Sequence, residues 1–479
     1  MRGSVSSGRF DVVIVGGGRA GASVLLRLLE RSAALGTPLN AAVVDPHHRI
    51  GAGTVYGEAT ARDSLIVTDL ETFFADEELS RFERWLRIAG SSARTGALHG
   101  CADTAELRKQ YVPRRLIGSF FEREVQAALA TAGPNHAVTI VRSVVTGIAP
   151  SGSGYAVEHR NGRIEARAVL LAVGSPEIDG IAEDPRVIAS AHVASTEHMR
   201  VRVRTALAGR RSGSIGVVGS NASALEAIYV LENDPLLKSA GHRYHVISTH
   251  GALPNLEGRE RFGPASDPVA PPCAASTADE LFDAVVRYGK GVTDRANPGL
   301  ALLGETERRR FMALHADAVI RLRRKAGGPY AGRIRELLRA GRLELARGTY
   351  VGSSPDGHAR TVLDTGDVVD LGPFEVILMC VGSARHPPGS RCQGVNGIDL
   401  GGLGLRWSAT GRGLEVSESF EARSGLFVHG PLLSGYVRSD LALLHLEDAQ
   451  LIAHLSAEVA RQLMPSHSNR PAPRRTRTI

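Results

Sequence analysis

The stretch from Phe10 to Gly21, FDVVIVGGGRAG, decides the fold of this chain. Its apolar run, VVIV, is typical of a strand that is covered on both faces. Three glycines follow at the spacing G-x-G-x-x-G: Gly16, Gly18 and Gly21. The first permits a tight turn, the second a close approach of pyrophosphate, and the third close packing of a helix on the strand. The stretch predicts a dinucleotide-binding unit whose ligand phosphates lie at the N-terminus of that helix.

An acidic residue stands where such a unit needs one. The segment Asn40–Asp45, NAAVVD, predicts a second strand that ends in a carboxylate about 24 residues after Gly21. An acid at this place accepts hydrogen bonds from a ribose, so we assign Asp45 to ribose binding. The alternative is a glycine-rich loop followed by a chance acid.

A second glycine-dense loop, Gly51–Gly57, follows this strand directly. Loops at the carboxyl end of a parallel sheet bind ligands. Gly53 would let the backbone lie flat against a planar group, and Thr54 and Tyr56 offer hydroxyls; an ordinary surface loop is the alternative. The short segment ending at Asp69 is predicted to return the chain to the same ligand. Tyr56 and Asp69 are therefore substrate-side candidates.

Two arginines, Arg114 and Arg115, precede a helix predicted over Ser119–Ala130, with Ser119 as its cap. Paired arginines before a helix are either solvated or bound to an anion, here a flavin phosphate or an acidic substrate. Both are kept as substrate-side candidates.

The region Ala137–Ala172 alternates apolar and polar residues and contains the hairpin signal Asn161-Gly162. It predicts three antiparallel strands, a small meander inserted into the nucleotide fold. The last strand loses its polar alternation and ends at Gly174, so it is predicted to rejoin the buried parallel sheet.

A second unit of nucleotide type begins at Ser214, with the sequence SIGVVGSNASALE. Its predicted cofactor-binding residues are Gly219, Ser220, Asn221 and Ser223. Asn221 replaces the central glycine of the fingerprint, and we expect the turn to survive because Asn tolerates positive φ. Cofactor binding and a vestigial structural unit are both open at this point.

The strand Tyr244–Ser248 ends without an acid, at the place where an acid would select NADH. This absence favours NADPH over NADH. His250, or Arg243 shortly before the strand, is predicted to contact the extra phosphate.

Later segments repeat the pattern of a strand with a glycine exit. Phe374–Gly382 is apolar and ends in glycine, as the strand ending at Gly174 does, and this likeness predicts that it returns to the first sheet. Gly425–Pro431 predicts a further strand and turn of that sheet, and Ser439–Leu463 predicts a long amphipathic helix. Residues 257–298 have the least pattern and are predicted to form a long loop or lid.

Composition excludes several classes of function. The formal charge is +7, but four arginines of the last ten residues supply much of it, so no nucleic-acid partner is expected. The four cysteines show neither C-x-x-C nor metal-ligand spacing, which favours a reduced, cytoplasmic protein without a metal site. Neither a signal peptide nor a membrane-spanning run is expected.

Taken in order, these segments resemble the two-dinucleotide architecture of glutathione-reductase-like flavoproteins and class B flavin monooxygenases. More narrowly, the chain resembles the bacterial FAD/NAD(P)-binding protein family related to N-hydroxylating monooxygenases. The resemblance is carried by VVIVGGGRAGAS, GAGTVYG, YVPRRLIGSFFE, VLLAVGSP, IGVVGSNASALEA, STHGALP, VILMCVGS and GLFVHGPLLSGYVRSDLALLHLEDAQLIA.

The resemblance implies an α/β fold with two Rossmann-like domains and a β-meander inserted in the first. Residues 1–205 and 370–465 would form the FAD-binding domain, 206–369 the NAD(P)-binding domain with a helical insertion, and 466–479 a basic disordered tail. The residues implied in FAD binding are Gly16, Gly18, Gly21, Asp45 and Gly174, with Gly430, Pro431 and Gly435 facing the flavin ring. The family usually has glycine where Asn221 stands, Arg where His250 stands, and a His-Leu-Leu-Asn-like segment where Ser64–Thr68 stands.

The implied function is an FAD-dependent, NAD(P)H-consuming monooxygenase. It would use molecular oxygen and a C4a-hydroperoxyflavin to hydroxylate nitrogen or carbon of a small polar metabolite. The missing C-x-x-C argues against a disulfide reductase. An FAD-dependent oxidase or dehydrogenase and a non-catalytic flavin-binding regulatory protein are the alternatives, and the oligomeric state is open.

Overall fold

A computed structural model describes residues 9–47, 49–89, 104–178, 184–188, 196–210, 212–238, 240–254, 256, 275–288, 298–323, 327–438 and 441–465. Its strands are β1 (Phe10–Val15), β2 (Leu39–Asp45), β3 (His136–Arg142), β4 (Val145–Ser151), β5 (Gly154–His159), β6 (Gly162–Leu171), β7 (Val187–Ile188), β8 (Ser214–Val218), β9 (Arg243–Ser248), β10 (Leu343–Arg347), β11 (Thr349–Ser353), β12 (Ala359–Val362), β13 (Val368–Leu371), β14 (Val376–Met379), β15 (Gly394–Val395), β16 (Ile398–Asp399), β17 (Glu421–Arg423), β18 (Leu426–Val428), β19 (Val437–Arg438) and β20 (Leu441–Ala442).

The α-helices are α1 (Arg19–Leu35), α2 (Gly53–Tyr56), α3 (Leu70–Phe73), α4 (Asp76–Ala89), α5 (Thr104–Arg108), α6 (Arg114–Thr131), α7 (Thr196–Ala206), α8 (Ala222–Glu232), α9 (Pro235–Lys238), α10 (Ala278–Tyr288), α11 (Pro298–Leu302), α12 (Glu305–Leu314), α13 (Ala316–Arg323), α14 (Gly328–Arg339) and α15 (Ala449–Leu463). Short 3-10 helices cover Gly401–Leu403 and Gly430–Leu433. None of the helices in the described ranges is long and apolar enough to cross a membrane.

The first sheet contains ten of the described strands, in the order β15-β16-β4-β5-β6-β1-β2-β3, with β18 beside β6 and β17 beside β18. β1 lies between β2 and β6 and is parallel to both. β18 is parallel to β6, which confirms the predicted return of the chain to this sheet near residue 426. Side chains of this sheet pack with side chains of α1 and α15 in one apolar core.

The meander is smaller than the alternation of its sequence predicted. β4, β5 and the first half of β6 are antiparallel, whereas β3 is parallel to β2 at the edge of the sheet. β3 alternates because it is an edge strand with one covered face, so its alternation carries no information about direction. β6 pairs with β5 up to Ala166 and with β1 from Ala166 onward, which joins the meander to the parallel sheet.

The second sheet contains five described strands, all parallel, in the order β10-β9-β8-β14-β7. The predicted return of Phe374–Gly382 to the first sheet is therefore wrong: β14 lies between β8 and β7 of the second sheet. Its apolar pattern indicates a strand buried in a parallel sheet but does not indicate which sheet. The second unit consequently extends past residue 370.

An insertion between β9 and β10 contains α10 to α14, and β11, β12 and β13 form a separate antiparallel sheet before β14. Two predicted helix starts are wrong. α6 begins at Arg114 rather than at Ser119, because Pro113 supplies the last extended residue before it. α15 begins at Ala449, where the carboxylate of Asp448 accepts from the N–H of Leu451 at 2.9 Å, rather than at Ser439.

Most of the predicted lid, residues 257–274 and 289–297, lies outside the described residues. Within it, residues 278–288 are α10. The predicted basic tail, 466–479, also lies outside them.

Candidate functional site

The first glycine turn is built so that no side chain fits in it. Gly16 has φ +100°, and a Cβ there would overlap the carbonyl oxygen of Ala172 on the strand beside it. A Cβ on Gly21 would overlap the carbonyl oxygen of Gly16. The helix α1 therefore packs directly against the turn, as the fingerprint predicted.

Asp45 lies buried at the end of β2, beside this turn. Its Oδ2 accepts from the N–H of Gly17 at 2.6 Å, and its Oδ1 accepts from the N–H of His47 at 2.7 Å. The ring Nδ1 of His47 lies 2.9 Å from the same oxygen, and this hydrogen bond raises the pKa of His47. Each carboxylate oxygen can accept further hydrogen bonds, so the group is held in position for hydroxyl donors.

The loop around Gly53 faces the same turn. The N–H of Gly51 donates to the carbonyl of Gly17 at 2.7 Å, and a Cβ on Gly53 would lie 2.9 Å from the Cα of Gly18. Thr54 is exposed in the one-turn helix α2 that follows. None of the described side chains caps α1, so its first N–H groups and its dipole are available to an anion. Two bare glycine backbones and an uncapped helix make a cradle that fits a diphosphate.

A third turn closes over α1 from the end of the chain. Gly430 has φ +74°, and a Cβ there would lie 2.9 Å from the Cβ of Ala20. Pro431 lies in the first turn of a 3-10 helix, and Gly435, with φ +94°, donates its N–H to the carbonyl of Leu443 at 2.6 Å. Gly174, with φ +84°, follows the end of the neighbouring strand β6. The predicted flavin-side glycines are thus gathered at the carboxyl end of the first sheet.

The second glycine turn repeats the construction of the first. Gly219 has φ +99°, a Cβ there would overlap the carbonyl oxygen of Cys380, and its N–H donates to Ile247 at 2.8 Å. In the first turn, the N–H of Gly16 donates to Val44 at 3.0 Å. Cys380 follows β14 as Ala172 follows β6. The two similar strands with glycine exits are therefore equivalent elements of two units.

Asn221 takes the place of the central glycine without positive φ. Its φ is −87° and its ψ −173°, an extended conformation open to any residue, so the expected need for positive φ is wrong. None of the described side chains caps α8, which leaves its N-terminus open to an anion. Ser220 is buried, and the hydroxyl of Ser223 donates to the carbonyl of Cys380 at 3.3 Å. Ser223 thus also fixes the turn to β14.

Basic side chains lie near the carboxyl end of β9. His250 is exposed there, and partial burial together with the charges of Arg321 and Arg347 lowers its pKa. Arg347 ends β10, in register with Ser248, and its side chain is 64% exposed beside Asp364 at 2.6 Å. The sequence analysis missed Arg347, although an arginine at the end of a strand was a visible signal.

Arg243 does not share this edge. It is the first residue of β9, so it lies at the opposite end of the strand from His250, and its predicted phosphate contact is wrong.

Comparison with known proteins supports the first of these two sites. Residues 13–176 match the sequence model of a family described as FAD-NAD(P)-binding. By this similarity, we refer to residues 13–176 as the FAD-NAD(P)-binding domain. It contains the first glycine turn, Asp45, the Gly53 loop and Gly174.

Beyond the FAD-NAD(P)-binding domain, the likeness extends over nearly the whole chain. The uncharacterized proteins Rv3403c of Mycobacterium tuberculosis and Mb3437c of Mycobacterium bovis are each 26% identical over 95% of this chain and 96% of their own length. Among solved structures, the match to the cadaverine monooxygenase DfoA of Erwinia amylovora spans 96% of this chain and 95% of the DfoA chain, with a TM-score of 0.59 and 14% identity. The match to the ornithine hydroxylase PvdA of Pseudomonas aeruginosa spans 95% of this chain and 99% of the PvdA chain, with a TM-score of 0.57 and 15% identity. The predicted likeness to N-hydroxylating flavoproteins is confirmed at the level of the fold.

Arg114 is not available to a substrate. It lies at the start of α6, and its guanidinium forms a buried bidentate ion pair with Glu226 of α8. Its prediction as a substrate-side residue is wrong because its charge is already neutralised by a carboxylate of the second unit.

Arg115 and Asp69 also have other partners. Arg115 donates to the carbonyls of Thr60 and Glu58, so it holds the loop that follows α2. Asp69 caps α3 by accepting from the N–H of Thr72 at 2.8 Å. Both act on backbone of the FAD-NAD(P)-binding domain, and we remove them from the substrate-side candidates.

Tyr56 keeps its candidacy. Its ring packs edge to face on Phe73 and Phe121, and burial raises the pKa of its hydroxyl, which keeps the phenol protonated. Within the described part of the chain, this hydroxyl forms no hydrogen bond. Among the described residues, the Tyr56 hydroxyl therefore has no acceptor, and it can donate a hydrogen bond to a ligand at this loop of the FAD-NAD(P)-binding domain.

Proposed function

We propose that this chain is an FAD-dependent monooxygenase that consumes NADPH and oxygen to hydroxylate the nitrogen of a small amine. The observation that carries the proposal is the pair of equivalent turns at Gly16 and Gly219, each preceding a helix that no described side chain caps. Two dinucleotide sites in one chain suit a reaction that moves electrons from one nucleotide to another. The fold shared with ornithine and cadaverine hydroxylases supports the choice among such reactions.

The residues of the first turn fit FAD. We assign the diphosphate to the cradle between Gly18 and Gly53, the ribose to Asp45, and the flavin ring to the neighbourhood of Gly430 and Gly435. When bound, FAD would supply the redox chemistry, accepting two electrons from NADPH and passing them to oxygen, of which one atom enters the substrate and the other leaves as water.

The second turn is assigned to NADPH. The adenine ribose would lie near Ser248, at the carboxyl end of β9, and Arg347 and His250 would hold its 2′-phosphate. Arginine forms bidentate hydrogen bonds with phosphate, and no acid follows the strand to favour NADH.

Other roles for the described residues support a monooxygenase over a disulfide reductase. Cys380 and Cys392 are buried, and burial raises their pKa values to about 12 and about 11. Such thiols are poor nucleophiles at neutral pH. Tyr56 is the donor that we assign to the substrate or the flavin edge, since burial keeps its hydroxyl protonated and it lies on the Gly53 loop.

We further propose that one nucleotide unit is divided in sequence, with residues 1–205 as its first part. The second part begins after Gly382 rather than at residue 370, since β14 belongs to the second sheet. The enzyme is proposed to act in the cytoplasm on small molecules, with no nucleic-acid or membrane partner.

The test uses purified wild-type protein. We expect it to retain FAD, to oxidise NADPH, and to consume oxygen faster when ornithine, lysine, cadaverine or another aliphatic amine is added, with a hydroxylamine product by mass spectrometry. If NADPH oxidation gives hydrogen peroxide in equal amount with every amine tested, an oxidase is the better reading. If the bound flavin reacts with neither NADPH nor oxygen, that result favours a flavin-binding regulatory protein.

A further inference from the structure

A buried ion pair joins the two nucleotide units. Arg114 and Glu226 lie 112 residues apart in sequence, and their side chains are 10% and 1% exposed. The Nε of Arg114 lies 2.9 Å from Oε1 of Glu226, and its Nη2 donates to Oε2 at 3.0 Å. This bidentate geometry fixes the relative orientation of the two side chains as well as their distance.

Further hydrogen bonds tie the same point together. The hydroxyl of Ser64 donates to Glu226, and the Nε of Arg114 also donates to the carbonyl of Leu65 at 3.1 Å. From the second unit, the hydroxyl of Tyr330 donates to the carbonyl of Leu65 at 2.6 Å and accepts from its N–H at 2.9 Å. One short segment of the first unit is thus held by side chains of the second.

The position of the pair connects it to both glycine turns. Glu226 lies one helical turn after Ser223, in the helix whose N-terminus is the second anion site. The guanidinium of Arg114 lies 5.9 Å from the ring of Tyr56, on the loop that faces the first site. A rotation of one unit relative to the other would have to break the pair.

The energetics of burial argue against stabilisation as the role of the pair. Removing two charges from water costs several kcal/mol per ion, and apolar replacements of such pairs are often neutral or stabilising. Although burial alone lowers it, the attraction of Glu226 raises the pKa of Arg114, so the pair stays charged in the folded protein. An apolar pair would lack the directional hydrogen bonds that fix the orientation of one unit relative to the other.

We propose that Arg114 and Glu226 are a positioning pair that fixes the second nucleotide turn relative to the first, so that the nicotinamide reaches the flavin in a reactive geometry. The assignment rests on the proposed function for its consequence, since hydride transfer needs the two rings in contact. Small displacements of reacting groups reduce rates by about 100-fold.

The first experiment measures orientation without activity. Spin labels are attached at the cysteines introduced by Ala34→Cys on α1 and Leu236→Cys on α9, both exposed positions, in a protein that also carries Cys101→Ser and Cys273→Ser. We expect one narrow distance distribution in the otherwise wild-type protein. The double variant Arg114→Met with Glu226→Met leaves no buried charge unpaired, and we expect a broadened or shifted distribution.

A matched control removes an ion pair of similar burial from within one unit. Arg342 and Glu232, at 2.7 Å with side chains 24% and 2% exposed, both belong to the second unit. The double variant Arg342→Met with Glu232→Met is expected to keep the narrow distribution. A narrow, unshifted distribution in the Arg114 and Glu226 double variant, or equal broadening in the control, would overturn the proposal.

The second experiment measures flavin reduction by rapid mixing with saturating NADPH. We expect the Arg114 and Glu226 double variant to be reduced about 10- to 100-fold more slowly, while reoxidation after dithionite reduction changes by less than about twofold. Arg114→Lys should recover part of the rate because it retains one charge-assisted hydrogen bond. Equal slowing of reduction and reoxidation would overturn positioning. If wild-type flavin is not reduced by NADPH, the proposed function fails, and the label distances still decide whether the pair fixes the two units.

Discussion

Gly16 and Gly219 are the residues at which the two turns tolerate least change. Each combines positive φ with a neighbouring strand carbonyl that occupies the place of a Cβ. The cost of substitution therefore has two separable parts, backbone strain and steric overlap. Gly209 offers the comparison, since it has φ +76° and a Cβ there would meet no described atom within 4 Å.

Gly219→Ala is expected to raise the Kd for NADPH at least about 10-fold, because the carbonyl of Cys380 must move and displace the second turn. FAD content should stay at the wild-type level, since the first turn is untouched. Gly209→Ala, which adds strain alone, should change the Kd less than about twofold. Calorimetric titration with NADPH measures both, and equal effects of the two variants would contradict the overlap argument.

Asp45→Asn is expected to weaken FAD retention about 10- to 100-fold, because hydrogen bonds to a charged acceptor contribute about 1.5–3 kcal/mol. The amide keeps the size of the side chain and one acceptor for the N–H of Gly17. His47→Ala removes only a partner of the same carboxylate and should leave flavin retention nearly unchanged. Flavin content after extensive dialysis is the measurement, and full retention by Asp45→Asn would reject the ribose assignment.

Arg347→Ala tests the 2′-phosphate site. We expect KM for NADPH to rise about 10-fold and KM for NADH to stay constant, because only NADPH carries the phosphate that the guanidinium would bind. Arg360, whose side chain is 54% exposed and paired with Asp370 on the neighbouring antiparallel sheet, supplies the control variant Arg360→Ala. An equal rise of both KM values would show that Arg347 affects the fold of the site instead.

At the scale of elements, the residue that follows β18 joins this strand to α15, next to the Gly430 turn. His429 follows β18 directly, is fully buried, and shares a hydrogen bond of 2.9 Å with the hydroxyl of Ser456 on α15. Burial lowers the pKa of His429 to about 3. An unfolded histidine has a pKa of about 6.5, so between these values the unfolded chain binds a proton that the folded chain does not.

The stability of the protein should therefore fall as pH is lowered through this window. Below about pH 6.5, His429 lowers the free energy of unfolding by about 1.4 kcal/mol for each pH unit. The free energy of unfolding is thus about 2 kcal/mol smaller at pH 5 than at pH 7 on account of this residue. His429→Gln should reduce the difference in the free energy of unfolding between pH 7 and pH 5 by that amount in urea titrations. Ser456→Ala keeps the histidine and should keep the difference. An unchanged pH dependence in His429→Gln would contradict this account.

At the scale of the whole molecule, the described residues form a mixed ten-stranded sheet and a parallel five-stranded sheet, besides smaller sheets of three and two strands. In sequence, the five-stranded sheet is inserted between strands of the ten-stranded one. β14 is essential to the inserted unit because it lies between β8 and β7. The side chains of β14 are buried in two apolar clusters: Val376 and Leu378 belong to one, and Ile377 and Met379 to the other.

A fragment of residues 184–382 is expected to unfold cooperatively on heating, whereas a fragment of residues 184–369 is not. The shorter fragment lacks β14 and exposes one edge of β8 together with the apolar face beneath it. Circular dichroism during heating distinguishes the two. Equal cooperativity in both would mean that β14 contributes little to the second unit.

The sequence predicted the local parts of this molecule well and the distant pairings less well. The Gly16 and Gly219 turns and Asp45 follow from spacing and periodicity within short segments. The sheet that receives β14, the partner of Arg114 and the role of Arg347 depend on contacts between residues far apart. A buried apolar strand or a paired arginine has the same local signal whatever its partner is, so these features could not be decided before the fold was known.

The pairing of β18 with β6 has a consequence for synthesis of the chain. The ribosome releases β1, β2 and β6 early, but the first sheet lacks β18 until residues 426–428 have emerged. The inserted sheet is complete as soon as Met379 has emerged. The unit that begins the chain is therefore the later of the two to finish folding, and its half-formed edge at β6 is exposed while the inserted unit is being made.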